Sequence, residues 1–296
     1  MVPGQRRPLH MSLRAAVLGH PISHSKSPAL HHAAYSRLGI GISYTAIDVT
    51  EELLPSLMRQ VRDQPGWRGL SVTMPLKAAM VGEVDEVRGV ARTLGVVNTV
   101  SFEEDGSGFR TIGSNTDVAG IVNAVRHAGA RTPSSPVVLG GGGTAAAAIA
   151  ALKELGADSA RIFVRDPART ADVRAAADSL GIALEVLPMA EAAAPTAAAD
   201  VVISTLPPRA ADGLAAEIAA LKTSTPGVLL DVAYDPWPSL IASVWQGGGG
   251  AVVPGLEMLL YQAVEQVRLF SRLNEEVNAS VIDVMCDAVG LPRRAL

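Results

Sequence analysis

Val137, Val138 and Leu139 run directly into four glycines, Gly140 to Gly143, and then into an alanine-rich stretch of helical composition. A buried-type strand that meets a glycine turn and then a helix is the junction on which parallel α/β sheets are built. Gly140, Gly142 and Ala145 fit the pattern G-x-G-x-x-G/A. The first glycine permits the tight turn, the second lets a pyrophosphate approach the backbone, and the small third residue lets helix pack closely on strand. The plain alternative is a merely flexible glycine loop.

The surrounding pattern agrees with the first reading. Short β-branched runs at Arg161 to Val164, Leu184 to Leu187, Val201 to Ser204 and Val228 to Val232 are each separated by a helix-length segment. This second half resembles a Rossmann domain. Upstream, strands are expected at Ala15 to Leu18, Ser43 to Asp48, Gly69 to Thr73 and Val96 to Phe102. Helices are expected from Ser27, with Ser27 as N-cap, Pro28 in the first turn and Gly39 as the stop, and over Glu51 to Arg62 and Asp85 to Leu94. Asp105 and Gly106 suggest a hairpin turn before Arg110 to Gly113.

Arg131 to Pro136 is a turn-rich linker. Beyond Gly255 only helical patterns follow, Leu256 to Ser271 and Asn274 to Val289, which have no strand of their own to cover. They are expected to return to the first half. The expected fold is therefore α/β: a substrate-side domain over 12–116, completed by helices in 256–296, and a doubly wound dinucleotide-binding domain over 117–255.

Composition narrows the partners. Among 296 residues, 48 % are hydrophobic and 18 % charged, enough apolar surface for folded cores and too little charge for a disordered chain. A net charge of -4 gives no global attraction to nucleic acid or anionic lipid. Cys286 is the only cysteine, which excludes internal disulfides and cysteine-rich metal sites and suits a cytoplasmic setting. The charge-free stretches 132–152 and 236–256 are long enough to span a bilayer, but each contains four consecutive glycines, so a soluble fold is expected. Residues 1–12 lack an apolar core and read as a loose tail rather than a secretory signal.

Several residues could carry chemistry. After Val164 come Arg165, Asp166 and Arg169, where an NAD site usually places an acid against the ribose 2′-hydroxyl. Two guanidiniums there favour a 2′-phosphate, hence NADP; Asp166 could accept from a free 2′-hydroxyl or cap a helix at Pro167. Only Lys26, Lys77, Lys153 and Lys222 accompany twenty-one arginines, and lysine, unlike arginine, can exchange a proton. Lys77 ends the segment Ser71 to Lys77, where a strand gives way to a turn; it is either a surface lysine or a group at a ligand-binding sheet edge. Asp117, opening a helix after Asn115 and Thr116, either stabilises the helix dipole or partners Lys77.

Ser25 and Ser27 could offer hydroxyls to a carboxylate at a helix N-terminus. His20 and His24 lie in a proline-bearing loop rather than on one helical face, so no metal is expected. His31 and His32 read as surface helix residues.

Taken together, Gly19 to Pro28, Ser71 to Lys77, Val97-Asn98-Thr99, Asn115-Thr116-Asp117 and Gly255 to Ala263 resemble the shikimate dehydrogenase family, over nearly the whole chain from Ala15 to about Ser271. The resemblance implies Lys77 and Asp117 as the catalytic pair. It implies substrate contacts from Ser25, Ser27, Thr73, Asn98, Tyr234 and Gln262. Gly140, Gly141, Gly142, Gly143, Thr144 and Ala145 would form the phosphate turn, Arg165 and Arg169 would grip the 2′-phosphate, and Thr205 and Gly255 would line the nicotinamide side.

The implied reaction is reversible NADPH-dependent reduction of 3-dehydroshikimate, by a monomer or homodimer. The alternatives are an NAD-dependent quinate/shikimate dehydrogenase, an aminoshikimate dehydrogenase, and a non-catalytic NADP-binding regulator. One departure stands out: Ser71 occupies a position where many members carry asparagine.

Overall fold

The computed structural model describes residues 12–104, 106 and 108–294. The expected N-terminal tail, up to residue 11, and Asp105 of the expected turn lie outside the described residues. The chain begins with β1 (Leu13–Gly19), α1 (Ser27–Leu38), β2 (Ile42–Asp48), α2 (Leu54–Asp63), β3 (Trp67–Val72), β4 (Glu86–Val87), α3 (Val90–Leu94), β5 (Thr99–Glu104) and β6 (Phe109–Ser114). It continues with α4 (Asp117–His127), β7 (Val137–Leu139), α5 (Gly143–Glu154), β8 (Ser159–Val164), α6 (Ala171–Leu180), β9 (Ala183–Pro188), α7 (Ala193–Ala197), β10 (Val201–Ser204), α8 (Asp212–Leu221), β11 (Val228–Asp231), α9 (Leu240–Gly247) and β12 (Ala251–Pro254). Two helices close it, α10 (Gly255–Ser271) and α11 (Ala279–Val289).

The strands form two six-stranded sheets, in the orders β2-β1-β3-β5-β6-β4 and β12-β11-β10-β7-β8-β9. Every pairing in the second sheet is parallel, and its order is that of a doubly wound dinucleotide fold, reversing at β7 and β10. In the first sheet β1 pairs in parallel with β2 and β3, whereas β3, β5 and β6 are antiparallel neighbours. Apolar residues cover both faces of each sheet, which explains why β1, β7, β10 and β11 read as continuous apolar runs.

The two C-terminal helices return to the first sheet. Leu260, Val264, Val267 and Phe270 of α10 join Leu30 and Tyr35 of α1 and Val281 and Met285 of α11 in one buried cluster. Full burial of each such side chain contributes about 1.5–3 kcal/mol. Two glycines permit the approach. A Cβ at Gly69 of β3 would lie 2.0 Å from the Phe270 ring, and one at Gly120 of α4 would lie 2.8 Å from the Met258 carbonyl oxygen of α10.

Three local expectations are corrected. The helix expected over Asp85 to Leu94 is strand β4 followed by the short α3, because Glu86 and Val87 pair with Ile112 and Gly113 and Gly89 turns the chain at φ 58°. Strand β12 was not expected; it is only four residues long, follows a glycine run, and is held by register with β11. Strand β5 starts at Thr99 rather than Val96, since the Val97 N–H donates to the Lys77 carbonyl and leaves the ladder. No helix among the described residues is long and apolar enough to cross a membrane.

Candidate active site

The end of β3 delivers Lys77. Thr73 N–H donates to the Leu18 carbonyl, Leu76 N–H donates to Thr73, and the Val97 N–H donates to the Lys77 carbonyl, so the turn is tied to β1 on one side and to the entry of β5 on the other. Asp117 is the first residue of α4, where the helix dipole favours an anion. The two side chains meet: Lys77 Nζ donates to Asp117 Oδ2 at 2.5 Å, with side-chain exposures of only 16 % and 7 %. A largely buried ion pair is weak evidence for stability, since desolvation offsets the attraction. Its place on a cavity wall points instead to chemistry.

Asn98 holds the carboxylate from the other side. Its Nδ2 donates to Asp117 Oδ1 at 2.8 Å, and its Oδ1 accepts the Thr116 N–H at 2.7 Å. From α10, Gln262 Oε1 accepts from the Thr116 hydroxyl at 3.4 Å while its amide nitrogen donates to the Leu259 carbonyl at 3.0 Å.

Lys77 and Asp117 border a cavity of about 290 Å³, lined also by Ser25, Ser27, Ser71, Thr73, Asn98, Tyr234, Gly255 and Gln262. An adjoining cavity of about 850 Å³ is lined by Gly140 to Gly143, Thr144, Arg165 and Thr205. Thr73, Lys77, Thr144, Val232 and Tyr234 face both. Lys77 thus stands where a small polar compartment opens into a larger one.

Most of the expected residues come together here, with some differences. Ser27 is the first residue of α1 and makes no capping hydrogen bond through its side chain; it is buried on the small cavity, and its N–H donates to Ser25 Oγ at 3.3 Å. Gly255 lines the small cavity, where a Cβ would lie 2.1 Å from the Val232 carbonyl oxygen. Ala145, in the first turn of α5, is buried in the core, and Arg169 is exposed in a turn away from the cavity lining. His20 pairs through Nδ1 with Asp48 Oδ1 at 2.6 Å rather than with His24, and this hydrogen bond lowers the Asp48 pKa. Among the described residues no group of three metal-ligating side chains is present.

The larger cavity fits a dinucleotide. Gly140 has φ 96°, and a Cβ there would sit 2.8 Å from Thr205 Oγ1, so a side chain would both strain the turn and close it. Side chains at Gly142 and Gly143 would meet nothing within 4 Å; these two residues instead leave the backbone at the start of α5 open to an anion. Arg165 lies on the lining, suited to a further phosphate, while Asp166 accepts the Ala168 N–H at 3.0 Å and caps the next turn.

Four buried polar residues behind the small cavity were not singled out by the sequence as a group. Ser71 accepts from the Tyr44 hydroxyl at 2.7 Å and donates to Gln266 Oε1 at 2.7 Å. His31, expected on the surface, is fully buried; its ring stacks on Tyr44 at 3.9 Å and reaches Gln266. Burial pushes its pKa down to about 3 and raises those of Tyr35 and Tyr44. The available signal was the spacing of Gln262 and Gln266, one helical turn apart on one face of α10.

Known proteins resemble the chain in sequence and in fold. Residues 17–100 match the family model described as the shikimate dehydrogenase substrate binding domain. A shikimate dehydrogenase (NADP(+)) of Rubrobacter xylanophilus is 39 % identical over 269 residues, covering 89 % of this chain and 92 % of that protein. One from Thermus thermophilus is 34 % identical, covering 88 % and 93 %. The crystal structure of the Mycobacterium tuberculosis shikimate dehydrogenase has 36 % identity and a TM-score of 0.81, covering 94 % of this chain and 99 % of that one. A Thermus thermophilus shikimate 5-dehydrogenase solved in complex with NADP(H) and shikimate has 30 % identity and a TM-score of 0.76, covering 93 % and 99 %. On this similarity, which spans nearly its full length, the chain belongs to the shikimate dehydrogenase family.

Proposed function

We propose that the protein catalyses the reversible NADP-dependent interconversion of shikimate and 3-dehydroshikimate. The observation that carries this reading is the Lys77–Asp117 pair, closed at 2.5 Å at the junction of the two cavities. Family membership supports the substrate and cofactor, and NADP is favoured over NAD because Arg165 lines the larger cavity while the Asp166 carboxylate is engaged in a cap.

In this mechanism the small cavity holds the substrate. Ser25 and Ser27 face its carboxylate, next to the N-terminal end of α1. Thr73, Asn98, Tyr234 and Gln262 contact the ring and its hydroxyls. The larger cavity would hold the cofactor: Gly140 to Gly143 and Thr144 would take the pyrophosphate, Arg165 and the more peripheral Arg169 the 2′-phosphate, and Thr205 the nicotinamide side, which Gly255 would face from the small cavity. Ala145 acts by packing. When bound, the dinucleotide supplies hydride chemistry at the keto carbon.

Lys77 handles the proton. Its ammonium donates to the oxygen that develops charge during reduction and takes the proton back in the reverse direction. Asp117, oriented by Asn98, keeps that ammonium aimed at the cavity. The remaining site residues position the ring and exclude water.

The substrate unit comprises 12–116 completed by 256–296, and the cofactor unit 117–255. A cytoplasmic location suits a chain with one buried cysteine.

The test is absorbance at 340 nm on mixing the purified protein with shikimate and NADP, repeated with quinate and with NAD. Rapid reduction of NADP by shikimate is expected. Tight cofactor binding without turnover would favour a regulator, and a preference for quinate with NAD would overturn the assignment.

A further inference from the structure

The polar chain behind the small cavity has a direction that one backbone carbonyl determines. The Asn98 carbonyl can only accept, and the Gln266 amide reaches it at 3.3 Å, so the NH₂ end of Gln266 faces that way and donates also to Thr99 Oγ1 at 2.9 Å. Gln266 Oε1 therefore faces Ser71 Oγ at 2.7 Å and His31 Nε2 at 3.3 Å. An amide oxygen only accepts. Ser71 must give it a proton, and His31 must carry its hydrogen on Nε2.

With its own proton committed, Ser71 accepts from the Tyr44 hydroxyl. The bare Nδ1 of His31 accepts from the Tyr35 hydroxyl at 3.0 Å. On the other arm, Thr99 accepts from Gln266 and donates to Asn98 Oδ1 at 2.8 Å, and Asn98 Nδ2 donates to Asp117. The rings packed on His31 are neutral, since burial keeps Tyr35 and Tyr44 protonated and the imidazole uncharged; of the titratable and charged groups nearby, His32 on α1 lowers the His31 pKa further and Arg68 on β3 acts on Tyr35. Satisfied buried networks of this kind fix geometry, because every member has one arrangement that leaves no group unpaired.

We propose that His31 is a positioning residue for the substrate cavity: the hydrogen on its Nε2 locks the Gln266 amide. That lock keeps Ser71 facing the cavity with only a lone pair to offer, and keeps Thr99 and Asn98 seated against Asp117. The Ser71 wall then accepts from a substrate hydroxyl and offers no donor to an oxyanion. The catalytic consequence rests on the functional reading above; the direction of the network does not.

The test uses the full chain labelled with ¹⁵N-histidine. The His31 ring is expected to show a protonated Nε2 and a bare Nδ1, unchanged from about pH 5.5 to about pH 8. Hydrogen on Nδ1, or titration in that range, would overturn the proposal. In a second arm, His31→Phe keeps a stacking ring without the donor. His31→Gln places an amide nitrogen at the same number of bonds from Cα as Nε2.

His31→Phe is expected to lower kcat/KM for shikimate roughly tenfold, as for one lost hydrogen bond, and to shift the Asn98 side-chain amide resonances. His31→Gln should restore both. Unchanged activity and resonances in His31→Phe, or equal losses in both variants, would make His31 a packing residue only. If His31→Phe does not fold, His31→Gln and the labelled wild type decide. If the wild type fails to oxidise shikimate, the functional reading falls, while the histidine and Asn98 resonances still judge this inference.

Discussion

Lys77 and Asp117 are forty residues apart in sequence, one at the end of a strand turn and the other at the head of a helix, yet their side chains meet at 2.5 Å. Neither element alone suggests the encounter. It exists because the Val97 N–H ties the Lys77 turn to the chain entering β5, and β5 and β6 lead directly to Asp117.

Lys77→Ala should lower kcat by about 10²- to 10⁴-fold, the usual worth of a positioned general acid, with a modest change in KM. Steady-state kinetics with shikimate and NADP measure this. Near-normal turnover would remove Lys77 from the proton transfer.

Arg165 and Arg169 should separate. Arg165 lines the large cavity and Arg169 does not, so Arg165→Ala should raise the KM for NADP by roughly ten- to a hundredfold, as for a lost charge-assisted hydrogen bond. Arg169→Ala should cost less. The KM for NAD should barely move in either variant; a larger loss from Arg169→Ala would contradict this placement.

Gly140→Ala forces a side chain onto a backbone at φ 96° and against Thr205 Oγ1. Cofactor affinity, followed by quenching of protein fluorescence on NADPH titration, should fall at least tenfold, on the scale of about 1–3 kcal/mol for a strained backbone residue. An unchanged Kd would mean that the turn does not contact the dinucleotide.

His31 makes stability depend on pH. Its pKa is about 3 in the folded chain and about 6.5 when exposed. Between these values the unfolded state binds the extra proton, so this contribution is complete above about pH 6.5 and falls by up to about 1.4 kcal/mol per unit as pH drops toward 3. Urea unfolding at pH 7 and pH 5 should show a steeper acid loss in the wild type than in His31→Gln. Parallel losses would place the imidazole in contact with water.

Much of the architecture was legible because it is written in short-range patterns. Leu139 running into Gly140 marks a strand-to-helix turn, and Pro28 with Gly39 brackets α1. Glu86 and Val87 were misread because their strand pairing is set by Ile112 and Gly113, about 26 residues away. The same limit hid the burial of His31. A histidine pair on a weakly amphipathic helix looks solvated until α10 and β2 are laid over it, and those belong to distant parts of the chain. Site residues were found where type and local context coincided, as at Lys77 and Asp117. The network through Gln266 depends on contacts up to 235 residues apart, which local spacing does not encode.

The chain crosses between its two sheets at α4 and again at α10, and these crossings lie side by side, with Gly120 against the Met258 carbonyl. A side chain larger than hydrogen at Gly120 would force the two struts apart. Asp117 heads one strut and Gln262 rides the other, so the ammonium that meets Asp117 is moored at the seam itself.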